Sequence, residues 1–233
     1  MNSVIELHNE IKEIEVSEIK DLNISLFDNA SLTLKILNLK KENNVKIVAK
    51  VGYNSHLIVI FADFSTGNSE VVSKVDLVEE NASAEWHLAT LANGSSQKKF
   101  DVSFNHLVGH TNALMDNYGV ARDKSKVVFS GSNHIEKGAK KSVTNQIAKV
   151  IVFDPDAIGV ASPKLCIDEN DVIASHSAVV GQLNSDHMFY LMSRGLNKDE
   201  ARELITRGYL QPISRYFSDE NKAKIEAAIK EAM

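Results

Sequence analysis

The hydrophobic positions of this chain change period once, near residue 184. From Val4 to about Val180, Val, Ile, Leu and Phe recur at alternate or adjacent positions, in short runs separated by polar turns. Ser31–Leu39, Val45–Val51, Leu57–Phe64, Glu70–Leu77, Val127–Phe129 and Val150–Phe153 are such runs, and their lengths suit strands rather than helices. Downstream the period is helical. Asn184 and Ser185 stand at a helix start, Met188, Leu191 and Met192 share a face, and Gly195 is placed to end that helix in a left-handed conformation. Asn197 and Glu200 have the spacing of a capping box and predict a second helix through Leu204 and Ile205 that stops at Gly208. Ser218 opens a third, with Ile225 and Ile229 four apart, that runs to Met233. The expected division is a β core over 1–183 and a helical region over 184–233.

The turns of the β region resemble one another. Phe27-Asp28-Asn29-Ala30, Val78-Glu79-Glu80-Asn81-Ala82, Glu136-Lys137-Gly138-Ala139 and Asp154-Pro155-Asp156-Ala157 each place a small Ala after polar turn residues and before or within reach of an alternating run. Such a recurrence is what stacked coils need, because each strand must meet the next in register. The spacings are unequal, and a β-sandwich predicts much the same string of strands. Pattern alone leaves both open.

At 233 residues and 25.7 kDa the chain buries enough core to fold without disulfides or a structural metal. A net charge of -5 gives no general reason to bind nucleic acid or an anionic membrane. The single cysteine, Cys166, forms no internal disulfide, which fits a reducing compartment. The first ten residues lack the pattern of a secretion signal, and runs such as Leu57–Ala62 are too short to cross a bilayer, so a cytoplasmic protein is expected. There is no HExxH, no CxxC, no GxxxxGK[ST], no GxGxxG and no GxSxG. Nothing predicts ATP binding or a self-contained active site.

Two segments carry a family resemblance. VVFSGSNHIEKGAKKSVTNQI at 127–147 and SPKLCIDENDVIASHSAVVGQLNSDHMFYLMSRGL at 162–196 resemble the C-terminal core of the SufB/SufD family. The first segment matches at Phe129, Gly131, Ile135, Gly138, Ala139 and Ser142. The second matches at positions from Pro163 and Leu165 through Asp171, His176 and Gly181 to Phe189, Tyr190, Ser193, Arg194 and Gly195. Ser177 stands where SufB typically has Glu, so the likeness is closer to SufD. The resemblance implies a right-handed parallel β-helix followed by a small helical domain, without the N-terminal helical domain that many members carry. It implies a non-catalytic scaffold for iron–sulfur cluster assembly, working with a SufC-type ATPase and a SufB-type subunit, or as a homodimer through the β-helix edge strands.

In VIASHSAVVG, Val172, Ala174 and His176 share one face of an extended strand. Spacing alone favours a hydrogen-bonded interior histidine. The resemblance instead makes His176 the histidine that SufD places at its interface with SufB, as a metal ligand or proton-transfer group. Cys166 is the secondary candidate; it stands where relatives commonly have Glu, one thiol does not hold a cluster, and structural burial is expected. No cofactor is expected to be held tightly by this chain alone, only a transient cluster or iron at a subunit interface. Met188, Phe189, Leu191, Arg194, Leu204 and Tyr209 are the residues expected to dock the ATPase, against the simpler reading that the apolar tail caps the last coil of the solenoid. Pro212, Arg215 and Tyr216 depart from the acidic helix common in relatives. His106 and His110 would share a face only in a helix, and the segment reads as extended; His134 beside Glu136 reads as a solvated pair. The rivals are an adaptor that has lost the cluster role, and a β-helical carbohydrate-active protein, for which no ladder of Asp, Arg and aromatics is evident.

Overall fold

The computed structural model describes residues 3–17, 19–39 and 42–232. One sheet is built from β1 (Ser3–Leu7), β3 (Leu22–Leu26), β5 (Asn43–Val51), β7 (Ser69–Leu77), β9 (Gln97–His106), β11 (Lys126–Ile135) and β13 (Ile158–Ile167). The other holds β2 (Ile11–Val16), β4 (Ser31–Asn38), β6 (His56–Asp63), β8 (Ser83–Ala92), β10 (Asn112–Ala121), β12 (Val143–Val152) and β14 (Ile173–Gln182). Every strand pairs in parallel with the strand two along the chain, as Phe100 with Phe129 and Met115 with Gln146. Consecutive strands therefore lie in opposite sheets. This is a parallel β-solenoid, and the sandwich that the pattern left open, which would pair antiparallel neighbours, is not formed.

Alternation decides which side chains fill the interior. In β11 and β12 every second residue is buried, and the intervening ones face out. Trp86, Phe61, Phe100, Phe104 and Phe129 are fully buried, with Phe61 and Phe100 edge to face at 5.9 Å between ring centres. The recurring turns hold the corners. Ala30, Ala82 and Ala139 are buried, and each donates its N–H back to residue i−3 of its turn. Beside them Asn9, Asn29, Asn54, Asn81, His110 and Lys141 adopt φ between 49° and 61°, a region that Asn tolerates better than most residues. Their N–H groups reach the next turn, as from Asn29 to the Tyr53 carbonyl at 3.0 Å, and the amides of Asn54, Asn29 and Asn9 form a ladder at 2.7 and 3.1 Å.

The helices α1 (Ser185–Ser193) and α2 (Lys198–Leu210), a 3-10 helix (Gln211–Tyr216) and α3 (Asp219–Glu231) follow β14. The Asn184 cap and the Asn197–Glu200 capping box are present, and Gly195 has φ +97°. The expected stop at Gly208 is not there: α2 continues to Leu210 and passes into the 3-10 helix. Burial of Leu210 and Ile213 on the sheet outweighs the permissive glycine, and Pro212 suits the start of the new turn. The end expected for α3, Met233, lies outside the described residues.

Nor does the tail cap the last coil. It runs back across the outer face of the β2–β14 sheet, where Leu210, Ile213, Phe217, Ile225 and Ile229 are buried against Leu37, Ile60, Ala62, Ala89, Leu91 and Val120. Each such side chain contributes about 1.5–3 kcal/mol. Polar anchors hold this strap on either side of the 3-10 helix. Arg202 reaches Asp154 at 2.9 Å, and Glu15 accepts from the Ser218 N–H at 3.1 Å and its hydroxyl at 2.7 Å, and from Asn221. Burial works against both carboxylates. Hydrogen bonds from Ser218 and Asn221 overcome it at Glu15, and those from Asp123 and Arg202 at Asp154, so both titrate below their usual range. Among the described residues no helix is long and apolar enough to cross a membrane.

One interior position of the strands' inward file carries a charged side chain. Lys98 occupies an inward site of β9 with no exposure, and its ammonium reaches Asp63 at 3.2 Å, the Ser65 carbonyl at 2.9 Å and Ser69 at 3.3 Å. Burial pushes its pKa down, and Asp63 holds it part of the way back. Lys98→Met should cost about 3–5 kcal/mol by stranding the Asp63 charge, and adding Asp63→Leu should recover part of the loss. Urea midpoints of the two variants measure both effects.

Candidate functional site

The far end of the solenoid differs from its middle. β13 and β14 each pair on one side only, with β11 and β12, and their other edges meet no strand among the described residues. No residue of either strand is buried, in contrast to the alternation one rung earlier. Ile173 is 68 % exposed and Val179 53 %. These strands present unpaired backbone beside apolar side chains, a combination that templates pairing with another chain.

His176 sits at this end. Its strand register places it in the column Trp86, Met115, Gln146, whose members are buried inside the solenoid. The imidazole therefore belongs to the inward face but occupies the last rung, where nothing covers it, and it is exposed. The interior below is polar. Gln146 donates to the Lys164 carbonyl at 2.9 Å, Asn133 donates to Thr144, and His106 Nδ1 meets Thr111 Oγ1 at 2.7 Å. Gly131 makes room for this cluster, since a Cβ there would stand 2.8 Å from Gln146 Oε1 and 3.0 Å from the Met115 sulfur. Burial, with the nearby His134, pushes His106 down to about 4, so it stays neutral near pH 7.

Cys166 is exposed, which corrects the expected burial. It faces outward from β13, opposite His134 in register, and no element lies over that face of the last rung. Cys166 and His176 thus lie on different sheets and point to different sides, and the fold does not bring them together. His134 pairs with Asp168 of the following rung at 2.8 Å rather than with Glu136. His106 is interior while His110 lies in an exposed turn, so they share no site. Among the described residues no group of three or more His, Cys, Asp or Glu is arranged to hold a metal ion.

The residues expected to dock a partner divide. α1 has no buried residue; Phe189 is 76 % exposed, and Met188 and Leu191 are half-buried. Arg194 is exposed, with its guanidinium 5.3 Å from the Tyr190 ring, and Leu204 on α2 is 50 % exposed. Tyr209 instead turns toward the sheet and meets Tyr118 edge to face at 5.5 Å. Sequence reasoning missed Lys98, the polar interior around His106 and the His87 cluster on the outer sheet face. The signal for Lys98 was present, since it shares parity with Phe100, Val102 and Phe104.

The family model described as "SUF system FeS cluster assembly, SufBD core domain" matches residues 3–209. The chain is 28 % identical over 190 residues to the iron–sulfur cluster assembly protein SufD of Bacillus subtilis, covering 80 % of this chain and 44 % of that protein. It is 22 % identical over 211 residues to SufB of the same organism, covering 79 % and 45 %. An iron–sulfur cluster assembly SufBD family protein of Mycobacterium tuberculosis is 30 % identical over 125 residues, covering 54 % of this chain and 15 % of that protein. The chain spans less than half the length of these relatives.

The low pKa of His106 sets a pH dependence. Its folded value lies below the ordinary 6.5, so the unfolded chain takes up the proton first as pH falls. Stability contributed by the neutral ring is present above pH 6.5 and is lost toward pH 4, by about 3 kcal/mol in total. Urea unfolding across that window should show the loss, and His106→Gln should flatten it.

Proposed function

This chain belongs to the SufBD core family of the SUF system of iron–sulfur cluster assembly, and on that premise we propose that it is a non-catalytic, SufD-type cytoplasmic scaffold that joins a second β-helical chain through β13 and β14. The open, unpaired last rung is the observation that carries this reading. A partner of SufB type, or a second copy of this chain, would continue the sheets by strand addition and bury Ile173, Val179 and Val180.

His176 would then lie at the junction. Its place in the last rung leaves the imidazole uncovered where the incoming chain would add its strands, and an imidazole there can bind iron or pass a proton. One imidazole does not make a cluster site, and this chain's own donors fall short of one. The cluster is cargo, and a partner chain would supply most of its ligands. Ser177, beside His176, provides no carboxylate for that purpose.

The exposed side chains of α1, with Leu204 of α2, would form the seat of a SufC-type ATPase. Phe189 and Tyr190 on a helix with no buried residue support this surface. Cys166 stays secondary, on the outer face and remote in orientation from the junction.

Co-purification from cells should recover an ATPase and a second β-helical chain. Val179→Lys in the edge strand should abolish the association between β-helical chains while the far-ultraviolet circular dichroism spectrum is unchanged. His176→Ala should keep the complex and lower iron–sulfur absorbance after anaerobic reconstitution by tenfold or more. Full cluster yield from that variant would remove His176 from the site; a homodimer free of any other chain would replace the SufB-type partner by a second copy.

A further inference from the structure

Beneath the 3-10 helix lies a cleft of about 320 Å³ whose lining includes His87, Asp116, Tyr118, Tyr209, Arg215 and Tyr216. His87 stands on the outer face of β8, in register with Asp116 of β10, and is nearly covered by the tail. Its Nε2 lies 2.9 Å from a Glu85 carboxylate oxygen, and its Nδ1 lies 3.5 Å from Asp116 Oδ2. Its ring stacks on Tyr216 with centres 5.3 Å apart and planes 22° from parallel.

A neutral imidazole has one N–H and one lone pair. Here either tautomer would turn the lone pair toward a carboxylate. Only the imidazolium donates on both sides, and its charge also suits the face of the Tyr216 ring. Asp116 Oδ1 is buried with no hydrogen-bond partner among the described residues, so the His87 ring at Oδ2 is the cation that faces this carboxylate. The remaining groups facing the cluster leave this balance in place. His56 Nε2 stands 3.6 Å from the other Glu85 oxygen, and the Arg215 guanidinium lies 4.7 Å from the Tyr216 ring. Tyr209, pushed up to about 12 by burial and by Tyr118, stays neutral, and Lys149 lies 5.5 Å from the Tyr118 ring.

We propose that His87 is a proton-controlled latch for the helical tail: charged, it binds Glu85, Asp116 and Tyr216 into one unit, and deprotonated, it frees the 3-10 helix from the sheet. Burial opposes the charge, but hydrogen bonds to Asp116 and Glu85 outweigh it and raise the pKa above 6.5. The sign follows. Stabilisation by a raised histidine is complete below the ordinary value and is lost as pH rises through the folded one. The anchors before and after the 3-10 helix involve carboxylates whose pKa values are lowered, so they do not change over that range. Rising pH therefore loosens the 3-10 helix while the anchors before and after it hold. The inference stands apart from cluster assembly, since it concerns how the tail is seated whatever docks on it.

Two measurements on the full chain test it. An NMR titration of the His87 imidazole, assigned by its loss in His87→Gln, should give a midpoint above 6.5; a midpoint at or below that value overturns the latch. Hydrogen exchange of the amides of 213–217, corrected for intrinsic rate, should show protection falling several-fold between pH 6 and pH 9. In His87→Gln the same amides should be less protected and should show no such fall. Constant protection in the parent, or an undiminished fall in the variant, would overturn the proposal. The titration needs no folded variant for its midpoint, because spectra of His56→Gln and the other single histidine replacements identify the signal by elimination.

Discussion

In-register stacking of parallel strands governs this molecule. Each strand satisfies its backbone groups on the strand one coil earlier and one coil later, so a residue's place in its column is inherited from the rung before. That constraint sorts side chains into inward and outward files, keeps the left-handed Asn turns aligned at one corner, and leaves only the terminal rungs with unpaired edges. The open rung β13–β14 follows directly from it. A solenoid ends either under a cap or at a surface that another chain completes. Here α2, the 3-10 helix and α3 lie along the side of the sheet instead.

The position of His176 shows how this geometry converts a core residue into a surface one. Its predecessors in the column, Trp86, Met115 and Gln146, are buried and grow more polar toward the end. One rung further, the same inward-facing position has no coil over it and is exposed. An imidazole in that place is held on a strand yet remains exposed. The outward file of the neighbouring sheet ends in Cys166, equally exposed but facing away.

Much of this architecture was legible beforehand, for reasons that differ by element. Strand runs such as Val45–Val51 and the helix caps at Asn184 and Asn197 depend on local chemistry, and they formed where the pattern put them. The turn alanines were visible because each corner repeats the same steric demand. The choice between solenoid and sandwich was not legible from pattern, because both alternate identically and differ only in which strands pair. Cys166 was misjudged because free cysteine is usually buried, whereas exposure here depends on the absence of a neighbouring coil. The extension of α2 beyond Gly208 and the seat of the tail depended on apolar residues of distant strands, Leu37, Ile60 and Val120 among them. The His87 cluster joins residues from two strands and the tail, and no local spacing announces it.

In the proposed assembly the last rung is completed by another chain. Hydrogen exchange at the amides of 158–167 and 173–182 measures this most directly, in the isolated protein and in the complex recovered from cells. Edge amides that exchange readily alone and become protected in the complex, while those of β9 and β10 stay unchanged, are the expected result. Equal exchange of the edge amides in both states would contradict an end built for assembly.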